Sequence, residues 1–148
     1  MIKPGLRYSE VQVGSRHVEH MPITDAHLTL GAALIGDFNP LHVDEDFAQR
    51  SRYKGRILHG VITGAIIGAP AGMMFSGTAI GYLEHNCKFL APVRAGDTLT
   101  TTWTVEAKED KPKHDGGVVR MTAECVNQAG VAVARADGVM LVADGLVA

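Results

Sequence analysis

One short segment carries most of the side chains that could do chemistry, the run Gly36-Asp37-Phe38-Asn39-Pro40-Leu41-His42. Pro40 fixes its own backbone angle and keeps Asn39 out of the helical region, which makes the segment a defined turn. Asp37 and His42 can therefore face each other. With ordinary pKa values of about 4 and about 6.5, this carboxylate and imidazole could share a water molecule, one taking its proton while the other delivers a proton to a substrate.

Each of these residues also has a simpler explanation. Asp37 could belong to the turn after a helix, Asn39 and Pro40 could form an ordinary turn, and His42 could be a buried histidine with satisfied hydrogen bonds. Because a carboxylate, an amide and an imidazole occur together within six positions, the segment favours a reaction site over separate structural roles.

Two helices are expected on either side of this segment. Thr24 suits the N-cap position of a helix over residues 25–35, which Gly36 would end. Asp44 precedes two acidic residues of the kind favoured in a first helical turn, and it starts a short helix that runs to about Arg50. The turn is thus expected to lie between two helix ends.

A third helix is predicted from about Gly60 to Ala69 by its length and apolarity. Gly60, Gly64 and Gly68 recur on nearly one face of it. Since glycine costs about 1 kcal/mol against alanine inside a helix, another element is expected to pack very close to that face. A sheet wrapped around a buried helix is favoured over a phosphate-binding loop, which would end in Gly-Lys-Ser or Gly-Lys-Thr.

The second half of the chain alternates between apolar and polar residues with the period of a β-strand. Three stretches show alternating faces and a last strand is expected near the end of the chain: 83–89, 98–107, 119–125 and about 131–142. Turn-forming residues separate them at 92–97, 110–117 and 127–130. The pattern predicts consecutive antiparallel strands in a curved sheet around the glycine-bearing helix, an α+β class single domain over residues 1–148.

Composition excludes several classes of function. The 148 residues carry 14 basic and 16 acidic side chains, and no basic block suited to nucleic acid or an anionic membrane occurs. The apolar stretch 57–75 is too interrupted for a bilayer span, and residues 1–7 lack the apolar run of a signal peptide. A cytoplasmic protein is expected. Cys87 and Cys125, outside any Cys-x-x-Cys spacing, are expected to be small core residues.

The run Gly-Asp-x-Asn-Pro-Leu-His, followed after five further residues by Ala48, resembles the signature of the MaoC-like dehydratases. These enzymes are also called (R)-specific enoyl-CoA hydratases or hydratase 2, and they have the hot dog fold. Residues 55–60 resemble the entry to the central helix of that family, and residues 89–97 resemble a turn between two of its strands. The resemblance covers nearly the whole chain and implies a fold that agrees with the architecture above.

By this resemblance Asp37 and His42 are the catalytic pair, and Asn39 and Pro40 support their loop. Gly60 matches the glycine whose backbone N–H polarises the thioester carbonyl, and an unpaired N–H at a helix N-terminus is suited to an enolate oxygen. The implied reaction is syn addition of water to a trans-2-enoyl thioester to give the (R)-3-hydroxyacyl thioester, or its reverse. Asp37 would activate the water while His42 holds it and relays the proton to C2, although the sequence does not divide these roles. No metal or redox cofactor is implied, and coenzyme A enters only as part of the substrate.

The chain departs from the family pattern in two places. Just before the Gly-Asp pair, where the family often has an aromatic and a small hydroxyl-bearing residue, this chain has Ala33-Leu34-Ile35. Eight residues after Gly60, where some members have a serine, it has Gly68. These positions bear on loop packing and on substrate contacts, and the catalytic pair is retained.

Other polar residues are weaker candidates. His59 borders the site or has a capping or packing role in the helix. Arg56, Lys88 and Arg94 could meet the phosphates of coenzyme A or could belong to the solvated surface. The remaining histidines have no metal-ligand spacing and receive no chemical role: His17, His20, His27, His85 and His114.

Two other functions are compatible with a hot dog domain. An acyl-CoA thioesterase of this fold usually has a carboxylate on the central helix, whereas residues 60–69 contain no Asp or Glu. A non-catalytic module that binds acyl thioesters has no need of the Asp37–His42 pair. The hydratase hypothesis is preferred, and a homodimer or dimer of dimers is expected because hot dog domains resemble one another in dimerising.

The sequence leaves three properties of the reaction open. The length and branching of the acyl group are not fixed by the sequence, its carrier is either coenzyme A or acyl carrier protein, and the direction of the reaction is not determined. Gly64 and Gly68 are expected to leave room for an acyl tail, without fixing its length.

Overall fold

The computed structural model describes residues 4–147, which form a five-stranded antiparallel sheet and four α-helices. The strands are β1 (Arg16–Pro22), β2 (Ala79–Phe89), β3 (Thr98–Lys111), β4 (Gly116–Val126) and β5 (Ala132–Ala143). The helices are α1 (Asp25–Ile35), α2 (Pro40–Val43), α3 (Glu45–Arg50) and α4 (Gly60–Met74), with single 3-10 turns at Tyr8–Glu10 and Pro112–His114. Residues 1–3 and Ala148 lie outside the described residues. Residues 1–3 are part of the segment 1–7 that is expected not to be a signal peptide. The α+β prediction is confirmed.

The sheet order is β1-β3-β4-β5-β2, which corrects the predicted consecutive order. β3, β4 and β5 are neighbours as expected, but β2 pairs with β5 rather than with β3. The place beside β3 is taken by β1, from Arg16 opposite Thr104 to Pro22 opposite Thr98. No pattern indicates β1 in the sequence, because this edge strand is mostly exposed and has no buried face to impose an apolar alternation. Alternation identifies strands, but it does not say which strands are neighbours.

The turn predicted at residues 110–117 is shorter than expected. β3 continues to Lys111 and β4 begins at Gly116, so that the two long strands are joined by one 3-10 turn. Gly116 and Gly117 pair with both β3 and β5 and therefore belong to β4. Main-chain atoms and the Tyr8 ring lie where a Cβ of these glycines would be. Glycine here marks close packing within a sheet and not a break.

The helices around the candidate segment have the predicted limits. α1 ends at Gly36, whose φ of 73° is a left-handed conformation that glycine adopts without strain. The Asp44 carboxylate accepts a hydrogen bond from the Phe47 N–H at 2.9 Å and caps α3. Both ends of the candidate loop are therefore fixed by local hydrogen bonds and backbone conformation.

Helix α4 extends five residues past the predicted end at Ala69, through Pro70 to Met74. The proline removes one main-chain N–H from the helix. Trp103, which is fully buried on β3, donates its Nε1–H to the main-chain oxygen of Ile67 at 2.9 Å. Ala71 and Met74, which follow the proline, are also buried in the core, so packing keeps the chain helical past Pro70.

The glycines of α4 lie against β2, as their spacing predicts. A Cβ at Gly60 would lie 3.2 Å from the Phe89 ring, and a Cβ at Gly68 would lie 3.4 Å from the His85 ring. His85 also donates from Nε2 to the main-chain oxygen of Gly64 at 2.9 Å. Side chains of β2 occupy the space beside these glycines, so the expected room for an acyl tail is not open on this face.

The core lies between α4 and the inner face of the sheet. Its largest fully buried side chains come from the sheet, from α4 and the residue after it, and from α1: Trp103, Phe75, Leu28, Ile67, Leu99 and Met121. Cys125 is buried and Cys87 is half-buried, both are free, and burial raises the pKa of each thiol. The prediction that they are packed residues is confirmed. Among residues 4–147, no helix combines the length and apolarity needed to cross a bilayer.

Candidate active site

The loop between α1 and α3 is ordered by its own side chains. The Asp37 carboxylate accepts a hydrogen bond from the Asn39 N–H, and the Asn39 side-chain oxygen accepts one from the Leu41 N–H, each at 3.1 Å. Pro40 is the first residue of α2, where its missing N–H leaves no helical bond unmade. Two successive side-chain turns and one proline therefore fix the chain between Asp37 and His42.

His42 points inward from α2, with its side chain 12% exposed against 47% for that of Asp37. Its Nδ1 lies 2.8 Å from the main-chain oxygen of Ile57, which can only accept, so Nδ1 carries the hydrogen. In the neutral ring Nε2 then presents a lone pair, 3.8 Å from Asp37 Oδ2. This separation is too long for a direct hydrogen bond, and it fits one water molecule bonded to both atoms.

His59 lies behind His42 and has no exposed surface. The two imidazole rings are stacked, with centroids 3.8 Å apart and planes inclined by 30°. His59 Nε2 lies 2.9 Å from the main-chain oxygen of Asp37, while its Nδ1 is buried with no hydrogen-bond partner among residues 4–147. His59, expected either to border the site or to cap or pack the helix, is in contact with both members of the predicted pair.

Gly60, the residue expected to donate to the thioester oxygen, is the first residue of α4, where N–H groups have no acceptor within the helix. It lines a cleft of about 390 Å³ together with Tyr53, Leu58, Phe89 and Leu90. The positive end of the helix dipole favours negative charge that develops on an oxygen there. Because Gly60 directly follows His59, this N–H is covalently linked to the residue that contacts Asp37 and His42.

Asp37, His42 and His59 each offer one possible metal-ligand atom, and these atoms lie within 4.8 Å of one another. One nitrogen of each histidine already bonds to a main-chain oxygen. Each histidine therefore keeps one ring nitrogen that could exchange a proton or bind a metal ion.

Arg56, expected as a contact for coenzyme A phosphates, bridges two helices. It forms ion pairs with Asp25 at the start of α1 and with Glu45 at the start of α3, the latter at 3.1 Å. Hydrogen bonds from Gln49 and Arg56 lower the pKa of the Glu45 carboxyl. Arg56 thus ties the segment before α4 to both helices that hold the candidate loop.

Arg94 and Lys88, the other expected phosphate contacts, lie in different surroundings. Arg94 donates to the main-chain oxygens of Tyr53 and of Gly55, the latter at 3.3 Å, and so holds the segment before α4 from its other side. Lys88 lines a separate cleft of about 520 Å³ on the outer face of the sheet, together with Arg16. The structure does not bring the three basic residues together.

Sequence reasoning missed the contacts of His59 and the anchoring roles of Arg56 and Arg94. These interactions join residues that are 11 to 41 positions apart, so no local motif records them. The one feature of the sequence that points to a role for His59 is its position directly before the first glycine of a predicted helix.

The apolar run before Gly36, where the chain departs from the family pattern, lies largely at the surface. Leu34 is 81% exposed, and Phe38 in the loop is 62% exposed. The loop that carries Asp37 is therefore flanked by apolar side chains that this chain does not cover.

Comparison with known proteins places this geometry in a family. The MaoC like domain model matches residues 9–127. The (R)-specific enoyl-CoA hydratase of Rhodospirillum rubrum is 38% identical over 98 residues, which are 66% of this chain and 68% of that protein.

Solved structures agree with the sequence comparison. The R-hydratase PhaJ1 from Pseudomonas aeruginosa, in its unliganded form, is 33% identical and superposes with a TM-score of 0.83, covering 95% of this chain and 87% of that chain. A double hotdog fold protein of Mycobacterium tuberculosis, 14% identical, superposes with a TM-score of 0.83 over 94% of this chain and 44% of that chain, and shows the shared fold. Matched over most of its length by the family model and by these structures, the chain belongs to the MaoC-like dehydratase family and has the hot dog fold.

Proposed function

We propose that this protein adds water to a trans-2-enoyl-CoA to give the (R)-3-hydroxyacyl-CoA and catalyses the reverse dehydration. The observation that carries the proposal is the 3.8 Å separation of Asp37 Oδ2 and His42 Nε2, with each residue held by a hydrogen bond to the main chain. The named activities of the relatives from Rhodospirillum rubrum and Pseudomonas aeruginosa support the same reaction class.

The pair acts on one water molecule. Asp37 Oδ2 and His42 Nε2 are both acceptors, so a water between them donates a hydrogen to each and leaves an oxygen lone pair free to attack. The oxygen bonds to C3 of the substrate as the C2–C3 double bond breaks, one proton passes through the pair to C2, and both side chains return to their starting states. Because hydroxyl and proton arrive from the side on which the pair lies, the addition is syn.

Gly60 supplies the electrostatic part of the proposed reaction. As water attacks C3, negative charge moves to the thioester oxygen to form an enolate. The Gly60 N–H at the start of α4 bonds to that oxygen, where the helix dipole adds to the stabilisation. The cleft beside Gly60 receives the thioester.

The hydration involves no net oxidation or reduction, so we propose that it needs no redox cofactor. We also propose that Asp37, His42 and the Gly60 N–H supply the acid–base and electrostatic catalysis without a resident metal, and that coenzyme A is present only within the substrate. Activity unchanged by a metal chelator would support this, and loss of activity restored by a divalent cation would contradict it. The cytoplasm, where acyl-CoA is available, is the proposed place of action.

The test follows the loss of the conjugated crotonyl-CoA thioester by absorbance, with chiral analysis of the alcohol. We expect hydration to the (R)-alcohol by wild type, and a fall in kcat of about 10²- to 10⁴-fold in Asp37→Asn and in His42→Gln. Asp46→Asn and His114→Gln, which change the same residue types at exposed positions outside the loop, are matched controls and should keep wild-type rates.

Two outcomes would replace the proposal. Release of free thiol from saturated acyl-CoA, without hydration of enoyl-CoA, would identify a thioesterase, even though α4 carries no acidic side chain. Binding of acyl-CoA without turnover of either substrate would identify a non-catalytic binding module.

We also propose that the protein is a homodimer, or a dimer of such dimers, paired along β2. β2 lies at the end of the sheet order and has a free edge of 11 residues. Large apolar side chains in or just after it are exposed: Ile80, Tyr82, Leu83, Phe89 and Leu90. An open apolar strand edge favours pairing with another strand, and Phe89 and Leu90 place that edge beside the Gly60 cleft.

A further inference from the structure

His59 lies where the predicted pair meets the N-terminus of α4. It occupies the N-cap position directly before Gly60, and its main-chain oxygen accepts a hydrogen bond from the Thr63 hydroxyl at 3.1 Å. Its imidazole, fully removed from solvent, reaches across to Asp37 and His42. A buried polar ring in this position requires an explanation, because polar groups without solvent normally have all their partners.

The hydrogen bonds of the His59 ring are incomplete. The main-chain oxygen of Asp37 can only accept, so Nε2 carries the hydrogen of the neutral ring. Nδ1 then bears a lone pair that is buried with no partner among the residues the structure describes. An unpaired buried acceptor is unfavourable for folding, and an apolar side chain of similar size would avoid it. The hydrogen bond from Nε2 stabilises the fold and the unpaired Nδ1 opposes it, so little net stability favours a histidine here.

The ring has little freedom to turn. One face is stacked on His42 at 3.8 Å. Towards α1, a Cβ added to Gly31 would lie 3.5 Å from His59 Nδ1 and 3.1 Å from Ile62. The stack on His42 and the hydrogen bond from Nε2 to the Asp37 main-chain oxygen therefore hold the ring, with α1 packed beside Nδ1.

We infer that His59 is a positioning residue for the proposed hydration, an inference that rests on that proposed function. Its N–H holds the main chain of Asp37, its ring supports the face of His42, and its backbone continues into Gly60. His59 thereby fixes the distance between the water-binding pair and the N–H that receives the thioester oxygen. It acts through these groups and does not itself touch the substrate.

Three substitutions separate the two contacts. His59→Gln keeps an N–H donor near the place of Nε2 and loses the stacked ring. His59→Phe keeps a stacked ring and loses the donor, and His59→Leu loses both. Because misplacement of reacting groups by about 1 Å lowers rates by about 10²-fold, we expect kcat for crotonyl-CoA to fall about 10²-fold in the Leu variant and less in the other two, with KM within about threefold of wild type.

Thermal unfolding distinguishes positioning from a structural role. The melting temperature of His59→Leu should stay close to that of wild type, because removal of the unpaired buried nitrogen offsets loss of the hydrogen bond from Nε2 to the Asp37 main-chain oxygen. A merely structural histidine would instead lose stability and rate together, and the Gln and Phe variants would show no separate partial rescue.

A wild-type kcat in His59→Leu would overturn the inference, and so would losses of kcat that parallel a fall in melting temperature across all three variants. If the Leu variant does not fold, wild-type rates in both the Gln and Phe variants overturn it equally. Failure of the proposed function has a different signature, in which wild type itself hydrates no enoyl-CoA. A rate that is normal in wild type, lost in Asp37→Asn and kept in His59→Leu removes only the role of His59.

Discussion

Asn39 decides at the residue scale how Asp37 and His42 face each other, although its side chain contacts neither. Its Oδ1 accepts from the Leu41 N–H and its own N–H donates to Asp37 Oδ1, so one residue caps α2 and orients the carboxylate. The main-chain oxygen of Asn39 also accepts from the His42 N–H at 2.9 Å. The relative position of the proposed pair therefore depends on a cap and not on contact between the two side chains.

Asn39→Ala should lower kcat for crotonyl-CoA up to about tenfold, because a cap is worth about 1 kcal/mol and each 1.4 kcal/mol in a barrier is about tenfold in rate. Asn39→Ser restores a side-chain acceptor for the Leu41 N–H and should return kcat most of the way to wild type. The melting temperature should fall by about 2–4 °C, because the lost cap costs about 1 kcal/mol of stability. Equal rates for the Ala variant and wild type, or equal impairment of the Ala and Ser variants, would remove Asn39 from this role.

The candidate pair was predictable because its geometry is local. Asp37 and His42 are five positions apart, and the residues that join them form turns with recognisable sequence preferences. His59 and Arg56 could not be given their contacts from sequence, because both act across the interior on segments that are distant in the chain. Nothing in the pattern around a lone histidine says which carbonyl it will meet.

At the scale of the elements, close packing against the sheet limits which side chains can be accommodated. Gly117 in β4 lies under Tyr8, and a Cβ there would be 2.3 Å from the tyrosine ring and 2.5 Å from the main-chain oxygen of Glu109. The Tyr8 hydroxyl donates to Asp110 at 2.6 Å, and burial together with this contact raises the pKa of Tyr8 to about 12. Tyr8 thus docks on the sheet where Gly117 leaves room for its ring.

Gly117→Ala should lower the free energy of unfolding by about 1–3 kcal/mol, because the added methyl group overpacks a site bounded by main chain. Gly72→Ala is the matched control. A Cβ at Gly72, inside α4, meets nothing within 4 Å, so this change should raise stability by about 0.5–1 kcal/mol through helix propensity. Urea unfolding measures both. A Gly117→Ala variant as stable as wild type would show that Tyr8 can leave its place without loss.

Elements were predictable where one face is buried and the pattern repeats. α1, α3 and the inner faces of β3 and β4 follow from caps and alternation. β1 has no buried face and therefore no alternation of apolar and polar residues that would predict a strand. The pairing of β2 with β5 depends on the path of the chain around α4. The extension of α4 through Pro70 also requires tertiary contacts, since local propensity alone ends the helix there.

The whole molecule has two free sheet edges that differ in character. β1 carries charged and polar side chains and ends in Pro22, features that discourage a second strand from pairing. β2 is longer and exposes several large apolar side chains. Leu34 at the end of α1 and Phe38 in the loop add to the uncovered apolar surface of the isolated chain. The exposed apolar side chains of β2 support the proposed pairing along that edge.

Light scattering should therefore give twice the chain mass of 15.7 kDa, or four times that mass for a dimer of dimers, and Leu83→Lys on β2 should shift the protein towards the monomer. Val18→Lys on β1 is the matched control, since Val18 is 47% and Leu83 is 53% exposed, and it should remain dimeric. Hydration by the Leu83→Lys monomer should be weaker, because Phe89 and Leu90 bring the β2 edge to the Gly60 cleft. Dissociation by Val18→Lys alone would place the interface at the opposite edge, and a monomeric wild type with full activity would show that one chain completes the site.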